Sequence, residues 1–568
     1  MSPKDNSVRL YAYNHPVVHP FFPSRFPRIM QRAAGTALGL VVALSVTVQA
    51  HAQTAGESGP TAGGRILLVL PFDNRTGQPS LEWIREAAPE ILGARFASAG
   101  FAPMSRADRR YALDHLGLPQ GFHPSRATAL KLAETLDADS IVVGSYLTDG
   151  TGIVAEARLV DVPLLRMSEA VTARGEMRDL IAVFGSLAWK LTRQLDPGFS
   201  VAEETFVAAG RGLRLDAFEQ YIRGITEPDQ AERLRHLNLA VQLSPDFSQA
   251  WIELGREDYN GKQYEQAAAA FAKVGGNASN ALEAGFYRGL SLLFSGDYPR
   301  AEQAFGGVAR VLPLAEVLNN QGVAVSRQGH DAVALFRQTV AVDPNAADYH
   351  FNLGVSLKRR GDAAEALTEL AQCLRLRPND GEAQELDQAW RKPDGKRAEG
   401  LNSTPETASK ADPLERIARN FDAAAFRQAA LMLDRMDASR LAALTPRERA
   451  QKLTMQAKDY LDRGLLLEAE RLYRAAVAAD DNVAEAHAGL AEVRERSGDA
   501  DAARKEAVAS LERMPSIEAY LVMGRLDLAA GDLDRAAYHA REALKIDPAS
   551  RAAQELRRQI EARQNRKK

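Results

Sequence analysis

The chain has 568 residues, 45% of them hydrophobic and 26% charged, which is ordinary for soluble globular proteins and at about 100–200 residues per domain leaves room for three or four domains. A net charge of −3 and 7% aromatic residues give no basic field and no stacking platform, so nucleic-acid binding is not expected. The single cysteine, Cys373, excludes an intrachain disulfide and a cysteine-built zinc site; it falls on the apolar face of a helix and reads as a small buried hydrophobe.

Residues 33–48 are an apolar run preceded by Arg28 and Arg32 and followed by Ala50-His51-Ala52. A positive flank, a short apolar core and an A-x-A site describe a secretory signal peptide over residues 1–52, with Met30 as the expected start of translation. The run is short for a bilayer span. The alternative is an uncleaved N-terminal anchor. Either way the body is expected in the periplasm or cell envelope. Residues 53–64, rich in Gly, Ser, Thr and Ala, read as a linker.

Residues 65–197 mix strand and helix signals. Ile66-Leu67-Leu68-Val69-Leu70 is a continuous apolar run, as in a strand covered on both faces. Helical periodicity follows at 81–99, a short strand at 101–105, and helices at 106–116 and 125–136. Residues 140–147 are a strand, and 153–160 and 164–173 form a strand pair around Val162-Pro163. A helix over 176–195 closes the unit. Interleaved helices and strands predict a layered α/β sandwich. Asp137 and Asp139 precede a strand and read as turn residues.

From about residue 213 no strand signal recurs, and the chain repeats. One unit carries Trp251, Leu254-Gly255, Ala267, Phe271 and Val274; the next Gly289, Ala301, Phe305, Val308 and Pro313; the next Gly322, Gly329, Ala332, Phe336 and Pro344; a fourth Leu353-Gly354, Gly361, Ala366, Leu370 and Pro378. Small residues let two helices approach, large apolar residues fill between them, and proline ends the second helix. Residues 391–412 are polar and aperiodic and read as a linker that lets two arrays move. A second array at 413–560 has Tyr460, Gly464, Ala469, Tyr473 and Ala476, then Leu490-Ala491, Gly498, Ala503 and Pro515, then Gly524, Gly531, Ala536, Ala540 and Pro548. Its opening, 412–446, reads as helical but out of register. The tail 561–568 is basic, a solvated helix end or a contact for acidic partners.

The order Trp/Leu-Gly, Gly turn, Ala, Phe, Pro resembles the tetratricopeptide repeat family over 213–390 and 413–560, which implies an all-α solenoid in two arrays. Landmarks in the first domain, Leu68-Val69-Leu70-Pro71-Phe72-Asp73-Asn74, Gly144-Ser145-Tyr146 and Ala157-Arg158-Leu159-Val160-Asp161, resemble the envelope domain shared by the TolB N-terminal region, the curli secretion lipoprotein and flagellar outer-membrane-associated proteins. The pattern departs after Asp161, where Val162-Pro163-Leu164 replaces the usual Thr-Gly turn, and no lipidated cysteine is present, so a pore-forming role is not implied.

The repeat resemblance implies a concave groove lined by the first helix of each hairpin, with Ile252, Arg256, Phe286, Leu290, Asn319, Asn320, Val323, Phe351, Asn352, Val355, Lys358 and Arg359 facing it. Asn side chains can pair with a peptide backbone, Lys and Arg with carboxylates, and the apolar members with side-chain anchors. Arg256 stands where a carboxylate clamp needs Asn, so recognition of a chaperone tail is not implied. The expected partners are other proteins, including envelope or outer-membrane components.

Motifs for catalysis are missing: there is no H-E-x-x-H and no G-x-S-x-G. Gly255 to Gln263 only approaches a phosphate loop, with wrong glycine spacing and no hydroxyl after Lys262. His115 and His123 lack a placed carboxylate. The reading is an exported, non-enzymatic adaptor without cofactor or metal. Two alternatives remain open: an α/β domain that senses a nucleotide or envelope sugar near Asn74 and Ser145 and relays to the repeats, and a hydrolase built around His115 and His123.

Overall fold

The computed structural model describes residues 65–119, 125–150, 152–208, 210, 212–276, 280–391, 414–421 and 439–567. The signal and linker expected over 1–64, His123 and most of the linker at 391–412 lie outside the described residues.

The first domain is built on strands β1 (Ile66–Val69), β2 (Asp73–Asn74), β3 (Ala102–Pro103), β4 (Ser140–Asp149), β5 (Gly152–Asp161), β6 (Arg166–Met167) and β7 (Val171–Glu176). They form one sheet of order β3-β1-β4-β5-β6, with β2 also paired to β4 and β7 to β5. The β1–β3 and β1–β4 pairs are parallel, and β4–β5 and β5–β7 antiparallel. Helices α1 (Ile84–Ser98) and α4 (Leu180–Leu195) cover one face; α2 (Arg106–His115) and α3 (Arg126–Thr135) cover the other.

Strand β1 shows why its sequence is apolar at every position. Leu67 and Val69 join the cluster under α1 and α4, while Leu68 and Leu70 join the cluster under α2 and α3. The strand expected over 164–173 is interrupted. Register moves by one residue between Val160↔Met167 and Ala157↔Val171, so one extra residue is taken up around Ser168. Ser168 accepts the Leu159 N–H on its hydroxyl at 3.0 Å, which seals the gap in the ladder.

The landmark residues of this domain are packing devices. A Cβ on Gly144 would lie 2.3 Å from the Phe72 ring, so only glycine lets Phe72 rest on β4. The Tyr146 hydroxyl donates to the Leu81 carbonyl at 2.9 Å. Asp137 occupies a left-handed turn conformation at φ 56°, and Asp139 accepts the Ile66 N–H at 2.7 Å. Both aspartates hold the turn before β4.

After α5 (Glu203–Ala208), helical hairpins follow: α6 (Leu215–Thr226) with α7 (Gln230–Leu243), α8 (Ser248–Asn260) with α9 (Tyr264–Phe271), α10 (Ala281–Phe294) with α11 (Tyr298–Val311), α12 (Ala315–Arg327) with α13 (Val333–Val342), and α14 (Ala347–Arg360) with α15 (Ala363–Leu376), ending in α16 (Gly381–Arg391). The second array comprises α17 (Pro446–Asp462) with α18 (Leu466–Ala479), α19 (Ala484–Ser497) with α20 (Ala500–Arg513), α21 (Ile517–Ala530) with α22 (Leu533–Ile546), and α23 (Arg551–Lys567). A capping box between Thr445 and Glu448, with Pro446 in the first turn, sets the start of α17.

The repeat signature has a direct steric cause. A Cβ on Gly255, Gly289 or Gly322 would come within 2.8 Å of Phe271, 2.7 Å of Phe305 or 2.8 Å of Phe336, each on the second helix of the same hairpin. Cys373 is fully buried beside Phe351 and Leu370, and burial pushes its thiol up to about 11.

Two expectations about organisation change. The core does not break between residues 197 and 213: Leu187 and Phe206 share one apolar cluster with Phe218, Tyr221, Phe247 and Leu254 of the first hairpins. The second array is also not free on a linker. Leu467 of α18 belongs to that same cluster, and the buried Glu470 carboxylate accepts the Ala202 N–H at 3.1 Å and bonds from Arg474 and Arg494 at 2.8 and 2.7 Å.

Candidate peptide-binding groove

Residues 414–421, expected to be helical, carry no helix or strand. They lie against the first helices of successive hairpins in the first array. Three asparagines fasten the backbone. The Asn352 side chain accepts the Arg416 N–H and donates to the Arg416 carbonyl, both at 2.7 Å. Asn320 does the same for Ala418, at 2.9 and 2.7 Å. Asn319 adds a bond to the Arg416 carbonyl at 3.0 Å and accepts one from Asn352 at 2.7 Å. All three are buried, and these bonds satisfy amides that would otherwise be costly to bury.

The pairing explains the conformation. A side-chain amide that matches both N–H and C=O of one residue leaves the next residue facing elsewhere, so gripping residues 416 and 418 selects an extended chain. Asn320 and Asn352 occupy equivalent places on α12 and α14.

Side chains add charge complementarity. The Glu415 carboxylate, fully buried, bonds Ser326 Oγ and the Arg359 guanidinium, with Arg327 Nε 3.7 Å away. Arg416 stacks over Phe351, its guanidinium carbon 3.6 Å from the ring centre, and bonds Asp348 at 2.8 Å, Asp380 at 2.6 Å and Glu382 at 3.0 Å. Phe421 packs on Phe286 with centroids 5.5 Å apart, Arg419 lies over Phe294, and Ile417 joins the same apolar cluster.

Of the residues expected to line the groove, Asn319, Asn320, Phe351, Asn352 and Arg359 contact the segment directly, and Phe286 meets it through Phe421. Ile252 and Val355 do not line it: they are core side chains in clusters with Ala267 and Phe271, and with Leu370 and Cys373. Leu290 and Val323 are fully buried members of the cluster on which Ile417 and Phe421 rest. Arg256 is tied to Glu253 and Glu283; burial opposes its charge, but these carboxylates outweigh it and raise its pKa. Lys358 is exposed, with Trp390 5.8 Å from its ammonium. Sequence reasoning missed Ser326, Arg327, Asp348 and Asp380. Asp380 has a signal, since it follows the proline that ends the last hairpin.

The other sequence candidates are structural. Asn74 donates to the Gln78 carbonyl and to Glu82 at 3.2 and 2.9 Å, closing a loop. His115 stacks on Tyr111 at the end of α2. A cleft of 1040 Å³ lies instead between α1, α2 and the first repeat helices, where Glu90, Arg106, Tyr221 and Glu253 meet. Burial raises the Glu90 pKa.

This fold and groove define a helical-repeat protein carried on an α/β domain. The family profile described as tetratricopeptide repeat matches residues 324–381 and 454–516, one stretch in each array. No curated protein matches the chain. Among solved structures, YrrB, "a TPR protein with an unusual peptide-binding site", is similar at 16% identity over 36% of this chain and 99% of that one, TM-score 0.27. MamA from Desulfovibrio magneticus RS-1 is 20% identical over 30% of this chain and 99% of that one, TM-score 0.27. The LpoB C-terminal domain from Escherichia coli is 21% identical over 21% of this chain and 88% of that one, TM-score 0.19. Likenesses this distant carry no functional argument.

Proposed function

We propose that the chain is an exported, non-enzymatic scaffold of the bacterial cell envelope, whose first array binds extended segments of partner proteins. The observation that carries this reading is the double clasp of Asn320 and Asn352 on a peptide backbone. Because the clasp reads backbone, it can hold segments of differing sequence, with the flanking charges selecting among them. The apolar run at 33–48 with its A-x-A site supports export, and the Phe72, Gly144 and Asp161 landmarks support an envelope-type docking domain.

A photo-crosslinking residue at the exposed Lys358 tests both halves of the reading in cells. Discrete protein adducts in the envelope fraction, lost in N320A/N352A, are expected. Adducts that ignore these asparagines refute the groove, and a cytoplasmic location refutes export. Deleting the α/β domain would be a poor test, since it shares a core with the repeats.

A ligand-sensing role has one favourable observation, the cleft beside Glu90. Glu90 has no hydrogen-bond or ion-pair partner among the described residues, and Arg106 faces the same space. Binding there would bear on the α6 and α8 helices. Thermal shifts of the full chain against nucleotides and envelope sugars, repeated with E90Q, test it; a shift that E90Q leaves unchanged rules this site out.

A further inference from the structure

The segment that fills the groove belongs to the chain itself, and its contacts differ from those of the core. Only Ile417 and Phe421 pack against the apolar cluster, and Leu414 remains 64% exposed. Hydrogen bonds and ion pairs do the rest. Segments with few buried apolar contacts open at low cost. Buried charges, by contrast, must be matched in kind, because an unpaired one is expensive. The groove matches two of opposite sign on neighbouring residues: Ser326, Arg327 and Arg359 surround a carboxylate, and Asp348, Asp380, Glu382 and Phe351 surround a guanidinium.

We propose that residues 414–421 are a resident self-ligand, and that the external ligand of the groove is an extended peptide of the same chemistry: an acidic residue followed directly by arginine. This deepens the scaffold reading and rests on it. The position after the arginine is held by apolar contact. Two positions after the arginine, Asn320 grips the Ala418 backbone from both sides, which holds the chain there whatever the side chain. An external segment competes with an intramolecular one, whose effective concentration is about millimolar for a short connection. The groove is therefore reserved for partners that are abundant, multivalent or tightly matched.

The test uses the full mature chain and a fluorescein-labelled synthetic peptide of residues 412–423, read by anisotropy. The chain carrying E415A/R416A is expected to bind the peptide at least about tenfold more tightly than the unaltered chain, because its own segment no longer competes. Adding N352A to that chain, or replacing the peptide's arginine by alanine, should lower the affinity about tenfold or more. If E415A/R416A keeps the circular dichroism and melting temperature of the unaltered chain yet binds no better, the segment is a fixed part of the fold and the proposal is overturned.

Hydrogen exchange on the unaltered chain gives a second readout that needs no variant. The Arg416 and Ala418 amides should exchange at least about a hundredfold faster than amides in the middle of α14. Equal protection, released only with global unfolding, overturns the proposal. Peptide binding as expected without any cellular adduct at Lys358 defeats the scaffold reading and leaves this one standing; adducts without peptide binding do the reverse.

Discussion

Asn352 and Arg416 form a closed pair: one side-chain amide takes the N–H and gives to the carbonyl of the same residue, each at 2.7 Å. The two residues stand 64 positions apart, so the contact is tertiary in origin. Removing the amide in N352A deletes two part-buried bonds to one backbone unit, a cost of roughly 1–3 kcal/mol to segment docking. Exchange at the Arg416 amide should accelerate by about one to two orders of magnitude while exchange in α19 stays unchanged. Equal protection in N352A and the unaltered chain would show that Asn319 and Asn320 suffice.

Acid should loosen the segment. Burial pushes Asp348 and Asp380 up, but bonds from Arg377 and Arg416 to Asp348, and from Arg416 and the Ala383 N–H to Asp380, hold both below the usual carboxylate range. A depressed carboxylate contributes stability that is full above its unfolded pKa and is lost as pH falls through the folded one. Protection at Arg416 should therefore be flat from neutral pH to about pH 4 and decline below it. In D380N the step should shrink. A step of unchanged size in D380N would assign it elsewhere.

His487 carries the opposite sign. Its hydrogen bond to Glu506 raises its pKa against the effect of burial. A raised histidine stabilises fully below its unfolded value of about 6.5, and that contribution is lost as pH rises through the folded value. The melting-temperature gap between the unaltered chain and H487A should thus be larger at pH 6 than at pH 8, with a residual gap from lost packing. A gap that grows with pH would contradict the ion pair.

Gly289 and Gly381 form a matched test of the repeat signature. A Cβ at Gly289 would meet Phe305 at 2.7 Å, whereas one at Gly381 meets nothing within 4 Å. G289A should lose about 1–3 kcal/mol in chemical denaturation. G381A, in the first turn of α16, should be neutral or slightly stabilising.

Glu470 ties the second array to the connection before α5 through Ala202. E470A leaves the buried Arg494 with Asp499, 3.7 Å away, in place of its 2.7 Å bond to Glu470, and should cost up to roughly 3–5 kcal/mol. The expected signature is an earlier melting transition for α17–α23, seen as proteolysis within those helices at lower temperature. A single unshifted transition would mean that the Leu467 contact holds the array alone.

The hairpins were legible because their cause is local: Gly289 and Phe305, or Gly322 and Phe336, lie within one repeat and recur at its period. Strand β1 was legible for the same reason, since burial on both faces removes polar residues from every position. The groove asparagines could be placed by register. What sits on them could not, because residues 414–421 are shaped by partners far along the chain, from Glu382, 34 positions from Arg416, to Phe286, against which Phe421 packs, and leave no periodicity of their own. The docking of Glu470 on Ala202 spans 268 positions and is equally silent. A further device escaped notice although it repeats: His350 bridges Glu369 and the Pro344 carbonyl, and His487 bridges Glu506 and the Asp481 carbonyl, with the same spacing in both arrays.

Asn320 and Asn352 belong to consecutive hairpins yet hold residues only two apart along one segment, a span of about 6.5–7 Å if extended. Whatever fills the groove is thus stretched between two rungs, and it fits only one separation of α12 from α14. The occupant works as a gauge: it fixes the spacing of the two hairpins, and any movement that opens or closes that spacing must first let go of it.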